Sequence, residues 1–420
     1  MADRPPGTPR LRLTPRRYQL DKHGVALVAA GRPWIFRGHV SSAATSLADG
    51  QWLTLYDGSN RVVGHGVYAA EGAIAIRVMG RGAERPRGPS FAARIDAAVA
   101  RRAPLRADTD GFRAVHGESD GLPAVTADVY GEVVVVQAYA AGVDGLARLV
   151  ARRVAAAVGA GTIVLRAGHR RFGPQLERQV GPQVGPQVER ATASDASRRA
   201  PRVLRGTAVE TSPFREGPLT LIARPMAGQK GGGFLDLRGL RRWVAAAPLA
   251  GARVLNLFAY TGTLGLAAEH AGAARIVQVD RAADALALAA RHHVRDGARH
   301  ELITADVFEW LPRAPGEYEL VIVDPPSMTS RMEQVPGVLA TYRRLHAAAA
   351  ARVAPGGRLV LCCCTSRVAR TAFRAVVAVL PSPAGGRWQV DADLAPELDH
   401  PVGFAEADYL KVMIVRHVVG

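Results

Sequence analysis

At 420 residues and 48% apolar side chains, the chain is too long for one ordinary domain and carries enough apolar material for two or three. No run of about 18 apolar residues appears, and the opening Met1-Ala2-Asp3-Arg4-Pro5-Pro6 has no apolar stretch of the signal-peptide kind, so the expectation is a cytoplasmic protein with no membrane span. The net charge of +17 favours a polyanionic partner, because neutralising phosphates releases condensed counterions.

Lys22, Lys230 and Lys411 are the only lysines among 54 basic residues, and the excess is spread along the chain, with 12 basic against 6 acidic residues in 1–85. The first segment, Leu11 to Val78, alternates short strand-like runs with turns: Gly24 to Val28, Trp52 to Tyr56, Val62 to Tyr68 and Ala73 to Val78. Asp57-Gly58-Ser59-Asn60 separates two of them as a hairpin turn does, which predicts a small β-barrel. Arg81 to Ser90, rich in Gly, Pro and Arg, reads as a linker. Residues 91–170 combine a helix over Phe91 to Arg102, a strand over Glu132 to Gln137 and an alanine-rich helix over Leu146 to Val158, a small α+β module. Between Arg170 and Arg205 the chain repeats Gly-Pro-Gln-Val and has little to bury, so a flexible insertion is expected.

From Val254 onward, apolar runs alternate with helical patterns: Val254 to Phe258, Ile276 to Asp280, Leu302 to Asp306, Leu320 to Asp324 and Arg358 to Thr365. That alternation predicts a doubly wound, mostly parallel sheet, in which ligands bind beyond the carboxyl ends of the strands. The first run leads into Phe258-Ala259-Tyr260-Thr261-Gly262, a tight turn that lets backbone approach a ligand at the start of a helix. The dinucleotide fingerprint is absent. Asp280 is placed to accept from ribose hydroxyls and Asp306 from an adenine amino group, although each aspartate could instead cap a helix. Together, in this order and spacing, the turn and the aspartates resemble the S-adenosylmethionine site of class I methyltransferases.

Asp324-Pro325-Pro326 holds Asp324 extended at the next strand end. One strand further lie Cys362, Cys363 and Cys364, the only cysteines of the chain. Adjacent cysteines form no disulfide framework, which suits a reducing compartment, and neighbours alone do not build a zinc site. At period two, Cys362 and Cys364 share one face and Cys363 takes the other, with Cys362 roughly 6.6 Å deeper than Cys364.

Taken together, these residues resemble the bacterial ribosomal RNA cytosine-5 methyltransferases that carry an N-terminal PUA domain. The resemblance rests on Gly31 to Gly38, Gly117 to Pro123, Gly228-Gln229-Lys230, Phe234 to Arg238, Asn256 to Gly262, Asp324-Pro325-Pro326, Cys364 and Asp399-His400-Pro401, kept in order over some 370 residues. Ser327, Gly231 and Gly233 depart from the family pattern, as does the Gly-Pro-Gln-Val insertion. The resemblance implies a PUA-like RNA-binding domain over 1–85, a central α+β domain over 86–225 and a Rossmann-like α/β methyltransferase domain over 226–420. It implies S-adenosylmethionine as cofactor, held by Asn256, Phe258, Tyr260, Thr261, Gly262, Asp280, Asp306, Asp324, Gln229, Asp236 and Arg238, with no metal. It implies 23S ribosomal RNA as partner, with Cys364 adding to cytosine C6 and Asp324 holding the N3/N4 edge. Monomer and homodimer both stay open, as do two other readings: methylation of another base or atom, and an RNA-binding assembly factor without turnover.

Overall fold

The computed structural model describes residues 15–40, 46–167, 200–227, 233–329, 331–382 and 386–419. The Gly-Pro-Gln-Val repeats, Gln229, Lys230 and Gly231 lie outside the described residues. Among the described residues no helix is long and apolar enough to cross a membrane.

The N-terminal part is a five-stranded sheet ordered β1-β3-β4-β5-β2, formed by β1 (Arg16–Gln19), β2 (Trp34–Phe36), β3 (Trp52–Tyr56), β4 (Val62–Tyr68) and β5 (Ile74–Arg81). The hairpin around Asp57 forms because the carboxylate accepts from the Ser59 and Arg61 amides, the local turn chemistry of aspartate. One expected strand is corrected. Gly24 to Val28 lies inside helix α1 (Lys22–Ala29), whose first turn is capped by Asp21 accepting from the Gly24 amide. The cap and the burial of Gly24 and Val28 on one face outweigh the β-preference of the two valines.

The central part follows with helices α2 (Gly88–Arg102) and α3 (Asp144–Val158) and a sheet ordered β10-β9-β8-β7-β6. Its strands are β6 (Gly111–His116), β7 (Val125–Tyr130), β8 (Val133–Ala138), β9 (Thr162–Ala167) and β10 (Arg202–Arg205). One sheet face packs on the two helices through Val134, Val136, Ile95 and Val150. The other face, through Tyr130, Val133, Val135 and Val164, packs on the C-terminal part. Strands buried on both sides read as near-continuous valine, which explains the run Val133 to Val136. A hairpin, β11 (Ser212–Glu216) and β12 (Leu219–Ala223), contributes Phe214, Leu219 and Leu221 to that same shared core.

The C-terminal part is a seven-stranded sheet ordered β15-β14-β13-β16-β17-β19-β18. Its strands are β13 (Arg253–Leu257), β14 (Arg275–Asp280), β15 (His300–Thr304), β16 (Tyr318–Val323), β17 (Val353–Cys363), β18 (Gly386–Leu394) and β19 (Lys411–Val419). The first five are mutually parallel, and β19 runs antiparallel between β17 and β18. Helices α4 (Arg238–Ala246), α5 (Thr263–His270), α6 (Ala283–His292), α7 (Val307–Trp310), α8 (Val335–Ala350) and α9 (Arg370–Ala378) complete the doubly wound layers. Strand order reverses at β13, with β14 on one side and β16 on the other, so the crevice for a ligand opens beyond the carboxyl ends of these strands.

Candidate active site

The chain leaves β13 through a turn in which Phe258 (φ 60°), Tyr260 (φ 48°) and Gly262 (φ 75°) all take left-handed conformations. Two aromatic residues in that region are costly, and such strain clusters where backbone is shaped for a ligand. The surroundings hold the turn in place. Asp280, the last residue of β14, accepts from the Tyr260 amide (2.8 Å) and the Ala282 amide (2.8 Å). His293 donates through Nδ1 to the Thr261 carbonyl (2.6 Å) and accepts at Nε2 from the Ile222 amide (3.1 Å). Burial pulls the pKa of His293 down to about 4, which keeps that ring neutral and both bonds in place. Gly262 is demanded by packing: a Cβ there would meet the Ala289 Cβ at 2.8 Å.

Asp280 keeps acceptor capacity. Each oxygen takes one amide and retains a lone pair, while burial raises its pKa against the opposing effect of those two amides. A largely buried carboxylate with open lone pairs at a strand end fits a ribose diol. Asp306 lies two residues beyond β15 as the N-cap of α7, its Oδ1 accepting from the Phe308 amide (2.9 Å) and its Oδ2 lying 3.7 Å from Arg281 Nη1. The exposed Phe308 ring meets Phe258 edge-on at 5.9 Å, so an apolar wall stands beside the aspartate. On the other side of the turn, Phe234 meets Tyr260 at 5.1 Å, bringing the Phe234 to Arg238 segment to the same edge. Within that segment Asp236 accepts from Tyr409 Oη (2.7 Å).

Two residues expected to hold the cofactor have partners within the protein. Asn256 is fully buried, and its amide donates to Gln278 Oε1 (3.1 Å). Gln278 in turn bonds His300 Nδ1 (3.0 Å), and His300 Nε2 bonds Glu269 (3.1 Å). This polar chain crosses three strands beneath the turn and occupies the space over Gly265, where a Cβ would sit 2.3 Å from Gln278 Oε1. Arg238 is 1% exposed and is committed to Glu397 (3.0 Å), Asp399 and the Gly111 carbonyl. It is an ion of the interior.

Register places the catalytic candidates. Val323 of β16 pairs with Leu361 of β17, so the next residues, Asp324 and Cys362, are neighbours at the sheet edge. Cys362 is sealed in the core on one face of the sheet and Cys363 in the core on the other, the alternation expected from period two. Burial, then the Asp324 charge, pushes the Cys362 thiol far up, so it stays protonated. Cys364 stands one residue beyond the end of β17, half-buried, with Sγ donating to the Pro325 carbonyl (3.3 Å). Thr365 ties the two strand ends further, its hydroxyl accepting from the Met328 amide (3.2 Å). Reading the sequence missed Lys411, whose buried ammonium donates to the Thr365 carbonyl (3.0 Å) and the Tyr409 carbonyl (3.1 Å). Its rarity in an arginine-rich chain was the available signal. Gly233, a departure from the family pattern, has a reason here: a Cβ would lie 2.5 Å from the Tyr130 ring, which fills that space from the central part.

Comparison with known proteins identifies the parts of the chain. Residues 195–375 match the S-adenosylmethionine-dependent methyltransferases and residues 19–81 match the PUA-like domains. Two solved structures align at TM-score 0.76 over 96% of this chain and 100% of theirs. They are an S-adenosylmethionine-dependent methyltransferase from Streptococcus mutans, 18% identical, and a methyltransferase complexed with S-adenosylhomocysteine, 19% identical, and at these identities the likeness concerns the fold. Fold and site together define a methyltransferase that uses S-adenosylmethionine and carries a PUA-like domain. The chain is 33% identical over 422 residues to the ribosomal RNA large subunit methyltransferase of Deinococcus radiodurans, covering 97% of this chain and 98% of that one. It is 28% identical over 396 residues to the ribosomal RNA large subunit methyltransferase I of Aeromonas salmonicida, covering 91% and 95%. The chain belongs to the ribosomal RNA large subunit methyltransferase family.

Proposed function

We propose that this protein methylates carbon 5 of a cytosine in large-subunit ribosomal RNA through a transient adduct with Cys364. The observation that supports the reading is that Asp324 and Cys364 leave the adjacent strand ends of β16 and β17, with Cys364 half-buried and its thiol on the carbonyl of Pro325, the residue after Asp324. Asp280 and Asp306 would hold the ribose and adenine, with Phe258 and Phe308 as the apolar wall, and Asp236 and Tyr260 would close the crevice. S-adenosylmethionine supplies an electrophilic methyl on a sulfonium.

Cytosine C5 is a weak carbon nucleophile, so the chain's own contribution is to activate it. The Cys364 thiolate forms a bond to C6, and the electron pair displaced from the 5,6 double bond makes C5 nucleophilic toward the methyl group. Once the methyl has transferred, a base takes the C5 proton and the returning pair expels the thiolate. Asp324 binds the N3/N4 edge and holds the proton there that stabilises the adduct. The target base leaves its stack to reach a half-buried thiol. The PUA-like sheet and the arginine-rich surface hold the surrounding RNA by phosphate contacts and shape.

RNA carrying 5-fluorocytosine tests the reading, because fluorine at C5 blocks the elimination step. Wild-type protein with cofactor should give a covalent complex mapping to Cys364. Cys364→Ala should bind cofactor normally, form no complex and reduce methyl incorporation into ribosomal RNA to background. Normal turnover by Cys364→Ala, or an adduct on another residue, overturns the assignment.

A further inference from the structure

Lys411 opens β19 directly across from Cys363, and its side chain is 1% exposed. Burying an ammonium costs several kcal/mol in effective terms unless it is paired, and surviving buried charges normally face an opposite charge. Here the bonded partners are two neutral carbonyls, of Thr365 and Tyr409. The charged and titratable groups around it are few. Asp408, on the approach to β19, is held by the Arg370 guanidinium through Nε (3.1 Å) and Nη2 (2.7 Å), so its charge is already matched. Arg370 itself comes from α9 and also takes Asp393 and the Leu410 carbonyl. Tyr342 of α8 reaches the Thr365 hydroxyl (3.2 Å), and burial followed by the neighbouring thiols raises its pKa, so it stays a phenol. Tyr409 is likewise held protonated, chiefly by burial. The thiols at the end of β17 also lie near the ammonium, and of Cys363 and Cys364 only Cys364 is not fully buried.

We propose that Lys411 is the positioning cation of Cys364: its ammonium clamps the Thr365 carbonyl, fixing the turn that presents the thiol, and stabilises the thiolate electrostatically from beneath the sheet edge. The inference deepens the reading of Cys364 as nucleophile and rests on it. A cysteine thiol has an ordinary pKa near 8.5, and a cation in a water-poor setting lowers it. Burial pulls the pKa of Lys411 down, while Cys363, then Asp408 and, more weakly, Cys364 pull it back up. A compact ammonium at the end of a four-carbon stem acts as a point charge, where a guanidinium is a planar fork. That accounts for a lysine in a chain whose basic residues are otherwise almost all arginine.

The test reads the thiol itself and needs no turnover. Alkylation of Cys364 by iodoacetamide, followed by peptide mass analysis from pH 5.5 to 10 on the full chain, gives its titration midpoint, with buried Cys362 and Cys363 as unreactive internal controls. Wild-type protein should show a midpoint below about 8.5. Lys411→Met, which removes charge and bonds, and Lys411→Gln, which keeps an amide donor without charge, should both raise the midpoint by about one unit. That slows alkylation at pH 7 about tenfold. Cofactor affinity and the thermal transition report whether each variant is folded. A wild-type midpoint at or above the ordinary value overturns the proposal even if neither variant folds, and so does an unshifted midpoint in two folded variants. These outcomes are separate from the reading they rest on, since a Cys364→Ala enzyme that still methylates removes the nucleophile while leaving the measured thiol titration intact.

Discussion

The central part meets the C-terminal part in one way and the N-terminal sheet in another. Between the first two, Tyr130, Val135 and Val164 share a continuous apolar core with Leu240, Val244 and Leu264. Charges are buried along the same seam: Arg102 with Asp120, Arg113 with Asp128, and Arg238 with Asp399 and Glu397. Among the described residues the N-terminal sheet keeps most of its core to itself, with Val67, Met79 and Trp52 reaching the central core. Its polar links include Arg77 and Trp34 on Glu118 of the central part, and its links to the C-terminal part include Trp34 on Phe404, the Arg367 guanidinium over Phe36, and Arg32 with Glu406. The difference teaches that the central and C-terminal parts share one apolar core that shapes the site, while the N-terminal sheet adjoins it with a core mostly its own.

Removing Arg238 is the severest way to break this contrast. Arg238→Ala leaves the carboxylates of Asp399 and Glu397 buried without their main cation, a loss of about 3–5 kcal/mol. Urea unfolding should then show one shifted transition spanning the central and C-terminal parts. A shift below about 1 kcal/mol, or two separated transitions, would contradict the shared unit.

Acid should loosen the same seam by a smaller step. His116 accepts at Nδ1 from Arg113 and packs on His400 and Tyr409. Burial, then the Arg113 charge, lowers its pKa to about 2. The sign follows from the direction: below about 6.5 the unfolded chain takes a proton that the folded ring refuses, so this stabilising contribution is present above the unfolded value and fades as pH falls toward about 2. The slope is about 1.4 kcal/mol per pH unit for this one group. His116→Gln should flatten stability against pH between 6 and 4 by about that amount, as chemical denaturation at each pH would reveal; equal slopes would remove His116 from the account.

The links of the N-terminal sheet to the C-terminal part should matter least to global stability. Arg32→Ala removes a partly exposed ion pair worth about 0–1 kcal/mol. Hydrogen exchange should quicken in the 82–87 connection and along β2 while the main unfolding midpoint hardly moves. A large shift of that midpoint would place the N-terminal sheet inside the unit it is said to adjoin.

Much of the architecture was legible because it is written in short-range pattern. Strands of the C-terminal sheet announce themselves as apolar runs, the turn at 258–262 by its place after the first of them, and the alternating burial of Cys362 and Cys363 by the period of a strand. The apolar runs located the strand end at Asp280, and the family motifs singled out Asp324 and Cys364. The misread segment at Gly24 to Val28 marks the limit: five residues of mixed β-preference cannot reveal that Asp21 caps a helix there.

By itself, then, the sequence determined which residues form the sheet edge and in what order they arrive, since strand period, turns and caps act over a few residues. Only the tertiary structure decided what each of them does. The amide of Asn256 donates to Gln278 on the next strand, and the guanidinium of Arg238 is held by Asp399, far along the chain. Gly233 is glycine because Tyr130 stands against it, and Lys411 meets the Thr365 carbonyl through a pairing of β19 with β17. Burial and partner choice are properties of contacts between distant segments, and no local pattern carries them.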